Sequence, residues 1–180
     1  MKTLFVVLLS VVLLISFSGC CQMPPVQQNF DLNRYLGKWY EIEKLPAYFE
    51  KGNCIQANYS LRDDGTIKVL NEEMLDGEMQ SIEGTAIVKD SEQPAKLGVS
   101  FFFWQPYIPY WVLSTDYDSF ALVYTCVDMT FFHAEYAWIF SRSRTLPNST
   151  VESLKEQFTS NGIDISKMSA TVQTGCTNEI

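Results

Sequence analysis

Alternating apolar and polar positions dominate the chain from Lys38 to Arg142. The runs Lys38–Lys44, Ile55–Arg62, Thr66–Glu73, Gln80–Val88, Lys96–Phe103, Tyr110–Thr115, Phe120–Cys126 and Phe132–Arg142 each read as a short strand, because successive strand side chains point to opposite faces. Turn signals separate the runs. Asp64-Gly65 and Asp76-Gly77 predict tight hairpins, since glycine supplies the positive φ such turns need. Asp116–Ser119 predicts another tight connection. Eight strands in succession with no helix between them predict an all-β fold, either a sandwich or an antiparallel up-and-down barrel.

One helix follows the strands. Ser149 with Glu152 three residues on has the spacing of a capping box. Val151, Leu154 and Phe158 then recur at helical spacing, and Gly162 is a natural stop. No internal repeat or low-complexity linker interrupts the chain, so residues 21–180 are expected to form a single domain.

The alternation also sorts side chains by face. If Asn58 points outward, then Ile55, Ala57, Tyr59 and Leu61 point inward and Cys54 outward. Ile67, Val69, Asn71 and Glu73 share a face, as do Leu97, Val99, Phe101 and Phe103. On the last strand Ala134, Tyr136, Trp138, Phe140 and Arg142 lie together. Ala137 and Ile139 lie opposite, where the helix stripe could cover them. Asn71 and Glu73 on an inward face are costly unless they meet a partner, water or a ligand. An aromatic lining with a few polar groups is the usual make-up of a small-molecule site.

The N-terminus reads differently. Met1-Lys2-Thr3, an apolar run from Leu4 to Ile15 and the small residues Ser16, Ser18 and Gly19 form the three-part pattern of a secretory signal peptide over residues 1–20, with cleavage between Ser18 and Cys21. The run is shorter than the ~20 residues of a spanning helix. Phe17-Ser18-Gly19-Cys20 only weakly matches a lipidated bacterial signal. Cysteines occur at 20, 21, 54, 126 and 176. In an oxidising compartment they read as disulfides, and removal of Cys20 leaves four with three pairings open. Asn58-Tyr59-Ser60 and Asn148-Ser149-Thr150 are glycosylation sequons, so Asn58 and Asn148 are the expected sugar sites of a secreted, extracellular protein.

Composition narrows the function. The 180 residues carry a formal charge of -8 with no basic run, which argues against nucleic-acid binding. Hydrophobic content of 47% against 19% charged residues is a globular balance. The single histidine, His133, excludes metal clusters built on several histidines. No cofactor or metal is expected. His133 has no evident partner and no nucleophile–base pair is visible, so no catalytic residue is assigned and no enzyme activity is expected.

Several motifs carry a family likeness. Gly37-Lys38-Trp39 resembles the Gly-x-Trp motif of the lipocalins, Thr115-Asp116-Tyr117 their second motif and Arg142 their third. Pro24-Pro25-Val26-Gln27, Arg34–Lys44, Cys54–Leu61 and Ala121–Tyr124 carry a closer likeness to one branch of that family, and the resemblance spans about Cys21 to Cys176. It implies an eight-stranded antiparallel up-and-down β-barrel, open at one end, with one C-terminal helix. It also implies a cavity for a small hydrophobic ligand, a fatty acid, steroid or bilin. Disulfides Cys21–Cys126 and Cys54–Cys176 are implied as well. Some members carry a further cysteine near the position of Asp128 for linking to partners, and Asp128 cannot form that link.

Parity and resemblance together make Tyr59, Asn71, Glu73, Phe101, Trp138 and Phe140 the expected ligand-binding residues. Trp39 is expected to plug the closed end with Arg142 across its ring, a contact of about 0.5–2 kcal/mol. The segment Gln105–Trp111 is expected to be an open-end loop whose large apolar side chains either pack on each other or touch lipoprotein or membrane surfaces. Three function classes follow: a carrier, a lipocalin-type isomerase using a pocket thiol, and a filled-barrel interaction protein without a ligand.

Overall fold

The computed structural model describes residues 21–129 and 132–176. The signal segment read over residues 1–20, with Cys20, lies outside the described residues. The elements run α1 (Leu32–Tyr35), β1 (Gly37–Lys44), β2 (Asn53–Leu61), β3 (Ile67–Leu75), β4 (Glu78–Val88), β5 (Lys96–Ser100), β6 (Ile108–Thr115), β7 (Phe120–Met129), β8 (Phe132–Ser141), α2 (Asn148–Ser160) and β9 (Ser169–Ala170).

Strands β2 to β8 pair in sequence order, β8 pairs with β1, and β1 pairs with β2, all antiparallel. The result is a closed eight-stranded barrel, which decides between the sandwich and the barrel that the alternating runs allow. Closure between β1 and β2 spans only Gly37–Tyr40. Beyond it the two strands splay, and β9 takes the free edge of β1 at Glu43 and Lys44. Gln173 fills the gap, its Nε2 donating to the carbonyls of Glu41 and Ile55 at 2.9 and 2.7 Å. Cys54 donates its amide to Val172 and is bonded to Cys176, so the tail is pinned to the barrel on its outer side. The second disulfide joins Cys21 to Cys126 on β7. Both implied pairings are therefore present.

Helix α2 packs against the outside of the barrel. Val151, Leu154 and Phe158 are buried in one cluster with Ala137 and Ile139. Lys155 reaches Glu43 on β1 at 3.0 Å. Its C-terminus forms a Schellman motif: Ile163 donates to Phe158 and Gly162 to Thr159, with Gly162 at φ +76.

Four expectations are corrected. The capping box does not form. The helix starts one residue before Ser149, Pro147 occupies the N-cap with no side-chain bond, and Glu152 pairs with Lys155 instead. Strand β5 ends at Ser100 rather than Phe103, because the Ser100 hydroxyl and the Gln105 amide bond to the Phe102 carbonyl and turn the chain. The period of two breaks there, and Phe103 is fully exposed instead of inward. Leu61, on the last position of β2, is 53% exposed because the barrel ends beneath it. At the other side of the turn, β6 begins at Ile108, so part of the segment expected as a loop is strand.

Candidate functional site

The barrel has a sealed end and an open end. At the sealed end Trp39 is fully buried, donates Nε1 to the Tyr35 carbonyl at 2.8 Å and lies 3.7 Å beneath the Arg142 guanidinium. Arg142 also donates to the carbonyls of Arg34, Tyr35, Leu36, Lys38 and Tyr117 at 2.8–3.3 Å. One side chain thus satisfies the end of α1, the start of β1 and the β6–β7 turn, which accounts for an arginine at this position. Gly37 has φ +94, a conformation that favours glycine, and its Cα face lies against Arg142 Nη1. Asp116 orders the turn itself, accepting from the amides of Asp118, Ser119 and Phe120. Thr115 accepts from the Tyr117 amide and donates to the Phe120 carbonyl. Gly37, Trp39, Thr115, Asp116 and Arg142 are thus engaged with one another and with the backbone at the sealed end.

Above this plug lies an apolar cup. Tyr59, Asn71, Trp138 and Phe140 line it by the alternation of β2, β3 and β8, and Phe101 joins them from just past the end of β5. Trp138 and Phe140 stack with centroids 6.5 Å apart. Phe101 packs over Gly84, where a Cβ would stand 2.7 Å from its ring. Glu73 is not in the cup. Its carboxylate accepts from the amides of Lys51 and Gly52 at 2.9 and 2.6 Å and holds the β1–β2 loop at the rim.

That loop brings in residues that the alternation could not reveal. Phe49 and Glu50 close over the mouth, Phe49 packing edge-on to Tyr136 at 5.2 Å. Glu50 accepts from Trp138 Nε1 at 3.1 Å and pairs with Lys44 at 3.2 Å. Lys44 also pairs with fully buried Glu41 at 3.2 Å. Burial, and then the charge of Glu50, push the Glu41 carboxyl up to about 8 against the pull of Lys44. Tyr110, expected within the open-end loop, stands on β6 and also lines the cup.

The cup encloses about 70 Å³. Pockets for drug-sized guests run to ~300–1,000 Å³. A steroid or fatty acid therefore fits only if rings such as Phe49 and Phe101 swing aside. A wider, more open cleft of about 470 Å³ lies between the Leu45–Tyr48 segment, β8 and Asp164–Lys167, with a mixed polar and apolar lining. His133 stands there and, contrary to expectation, has a partner: Nε2 lies 3.5 Å from Glu135, which also accepts from the Tyr124 hydroxyl at 2.5 Å. His133 and Tyr124 converge on the one carboxylate because His133, Glu135 and Tyr124 share the outer face of β7 and β8. Among the described residues no cluster of His, Cys, Asp and Glu could hold a metal ion.

Asn58 and Asn148 are both exposed, on β2 and at the first residue of α2. The β5–β6 turn displays Phe102, Phe103 and Trp104, with Phe102 and Trp104 stacked at 5.0 Å yet still largely in solvent.

The chain is 58% identical over 160 residues to apolipoprotein D of Cavia porcellus, covering 88% of this chain and 85% of the relative. It is 56% identical over 160 residues to apolipoprotein D of Macaca fascicularis, with the same coverage. Among solved structures, insecticyanin from the tobacco hornworm Manduca sexta superposes with a TM-score of 0.74 at 30% identity, covering 86% of this chain and 87% of that one. A family model described as a lipocalin-like domain matches residues 30–173. Sealed barrel, arginine-clamped tryptophan, flanking helix and matched sequence agree, and the chain belongs to the lipocalin family.

Proposed function

We propose that the protein is a secreted carrier that binds and transports a small hydrophobic ligand of the fatty acid, steroid or bilin class in the barrel cup. The observation that carries this reading is the cup itself: an aromatic wall closed below by Trp39 and Arg142, with Phe49 and Glu50 of the β1–β2 loop among its lining. Ligand affinity comes from apolar area removed from water, at about 25 cal/mol per Å². Tyr59, Phe101, Trp138 and Phe140 supply that area, Asn71 a polar anchor, and Glu73 the position of the rim loop. A carrier is favoured over a lipocalin-type isomerase because Cys21, Cys54, Cys126 and Cys176 are all in disulfides and offer no thiol to the cup. Secretion of residues 21–180 after loss of residues 1–20 fits the two disulfides and the exposed sequons. Sugar on Asn58 and Asn148 would register as a mass loss on enzymatic removal of N-glycans. The exposed aromatic turn at Phe102–Trp104 supports contact with lipoprotein or membrane surfaces at the mouth.

The narrow cup favours one second reading, a filled barrel without a ligand. Tryptophan fluorescence separates the two. Titration with a steroid or fatty acid should change the emission of wild type. Trp138→Phe should lose that change, whereas Trp39→Phe should keep it with a lowered melting temperature. No uptake by wild type would leave the filled barrel, and a full signal in Trp138→Phe would remove Trp138 from the cup.

A further inference from the structure

Three tyrosines meet at the floor of the cup. Tyr35 Oη lies 2.9 Å from Tyr110 Oη, and Tyr59 Oη lies 2.7 Å from the same oxygen. Burial pushes all three phenols upward, so each keeps its hydrogen at neutral pH. Three hydroxyl hydrogens are thus distributed over two hydrogen bonds, and among the described residues the trio has no other hydrogen-bond partner. A hydroxyl donates once, so one hydrogen is left over however the chain is oriented.

The surroundings decide where it goes. Tyr35 has no exposed surface and is enclosed by the rings of Phe30, Trp39 and Tyr59. A donor left there without an acceptor carries its full desolvation cost. Donation from Tyr35 to Tyr110 avoids that cost and moves the surplus to Tyr110 or Tyr59. Both of these line the cup.

We infer that the floor of the cup is a single-donor hydrogen-bond site, formed by Tyr59 and Tyr110 with Tyr35 donating into the pair from behind, for the acceptor oxygen of an apolar guest that enters oxygen-first. The inference rests on the carrier reading and names the chemistry of the guest: a ketone, ester or carboxylate oxygen at the leading end of a hydrophobic body. The wall above is complementary. Asn71 Oδ1 is buried without a donor. It stands on β3 one inward step, ~7 Å, beyond Val69, which pairs with Tyr59. A guest with a leading acceptor and a hydroxyl farther out satisfies both.

Equilibrium dialysis of the secreted protein against 2-dodecanone and n-dodecane tests the floor directly. Tyr59→Phe/Tyr110→Phe should weaken the ketone about tenfold, the loss of one hydrogen bond, and the hydrocarbon less than about twofold. Tyr35→Phe should leave both within about twofold, since the remaining pair still has two hydrogens for one bond. Equal weakening of the two probes in the double variant, or unchanged ketone affinity there, would overturn the floor site while leaving the carrier reading intact. Uptake of neither probe by wild type would overturn both. Infrared spectra of isotope-labelled ketone bound to wild type need no variant. The carbonyl stretch should fall below its value in hexane, and an unshifted band would refute the site.

Discussion

Glu41 shows how one buried carboxyl ties stability to pH. It is fully buried, held by Lys44 and the Thr171 hydroxyl, and its pKa is raised from 4.5 to about 8. Below pH 4.5 both folded and unfolded chains hold the proton and the group has no effect. Between 4.5 and 8 the unfolded chain releases it first, so the folded state loses stability as pH rises. Glu41→Gln removes this dependence. Its melting temperature should gain on wild type steadily from pH 4.5 to 8, whatever the constant offset of the substitution, and a pH-independent difference would contradict the assignment. This residue was not legible in the sequence, because its partners Glu50 and Thr171 come from a loop and from the C-terminal tail. Tyr59, Asn71, Trp138 and Phe140 were legible, because strict alternation carries through β2, β3 and β8. Glu73 shares the parity of Asn71 but was misplaced, since parity sets a side and not a partner: two loop amides claim its carboxylate.

Among the elements, the C-terminal tail does work that no local pattern announces. It enters where β1 and β2 part, and Gln173 bridges backbone groups that would otherwise be buried unpaired. Cys54–Cys176 closes a separation of 122 residues and holds the tail in place. Cys176→Ser should cost about 2–5 kcal/mol. It should also speed hydrogen exchange at the amides of Cys54 and Thr171, which bond across this seam. An unchanged melting temperature with unchanged exchange would mean that Gln173 and β9 hold the tail without the disulfide. The eight strands were legible as elements because each is short, alternating and bounded by turn residues. The ends of β5 and α2 were not. Side-chain bonds of Ser100 and Gln105 stop the first, and the chain's approach through Pro147 starts the second ahead of its capping box.

At the scale of the whole molecule, charge and exposed aromatics point to one kind of surface. The chain carries -8, yet Phe102, Phe103 and Trp104 stand out at 48, 102 and 69% exposure beside the cup mouth. An acidic protein with an aromatic tip should prefer a neutral surface, where insertion gains apolar burial without like-charge repulsion. Flotation with phosphatidylcholine vesicles should recover wild type, and Phe103→Ser/Trp104→Ser should remain in the dense fraction with its melting temperature unchanged. Equal recovery of both proteins would move the contact elsewhere. The two side chains make this test clean, because neither is part of the buried core.

The sequence by itself determined eight alternating strands in succession and left sandwich or barrel open; the likeness of its motifs to the lipocalins supplied the barrel and the plug at its sealed end. Alternation, hairpin signals and the spacing of Gly37, Trp39, Thr115 and Arg142 are local or motif-borne and survive without coordinates. The family likeness supplied the disulfide partners, which spacing alone left open among three pairings. Only the tertiary structure decided the shape and chemistry of the cup. Its width depends on where Phe49 and Phe101 rest, its mouth on the Lys44–Glu50–Trp138 contacts, and its floor on three hydroxyls that converge from α1, β2 and β6. Such contacts join residues up to 88 positions apart. No period along the chain encodes them, because they arise only once closure of the barrel brings distant faces to one interior.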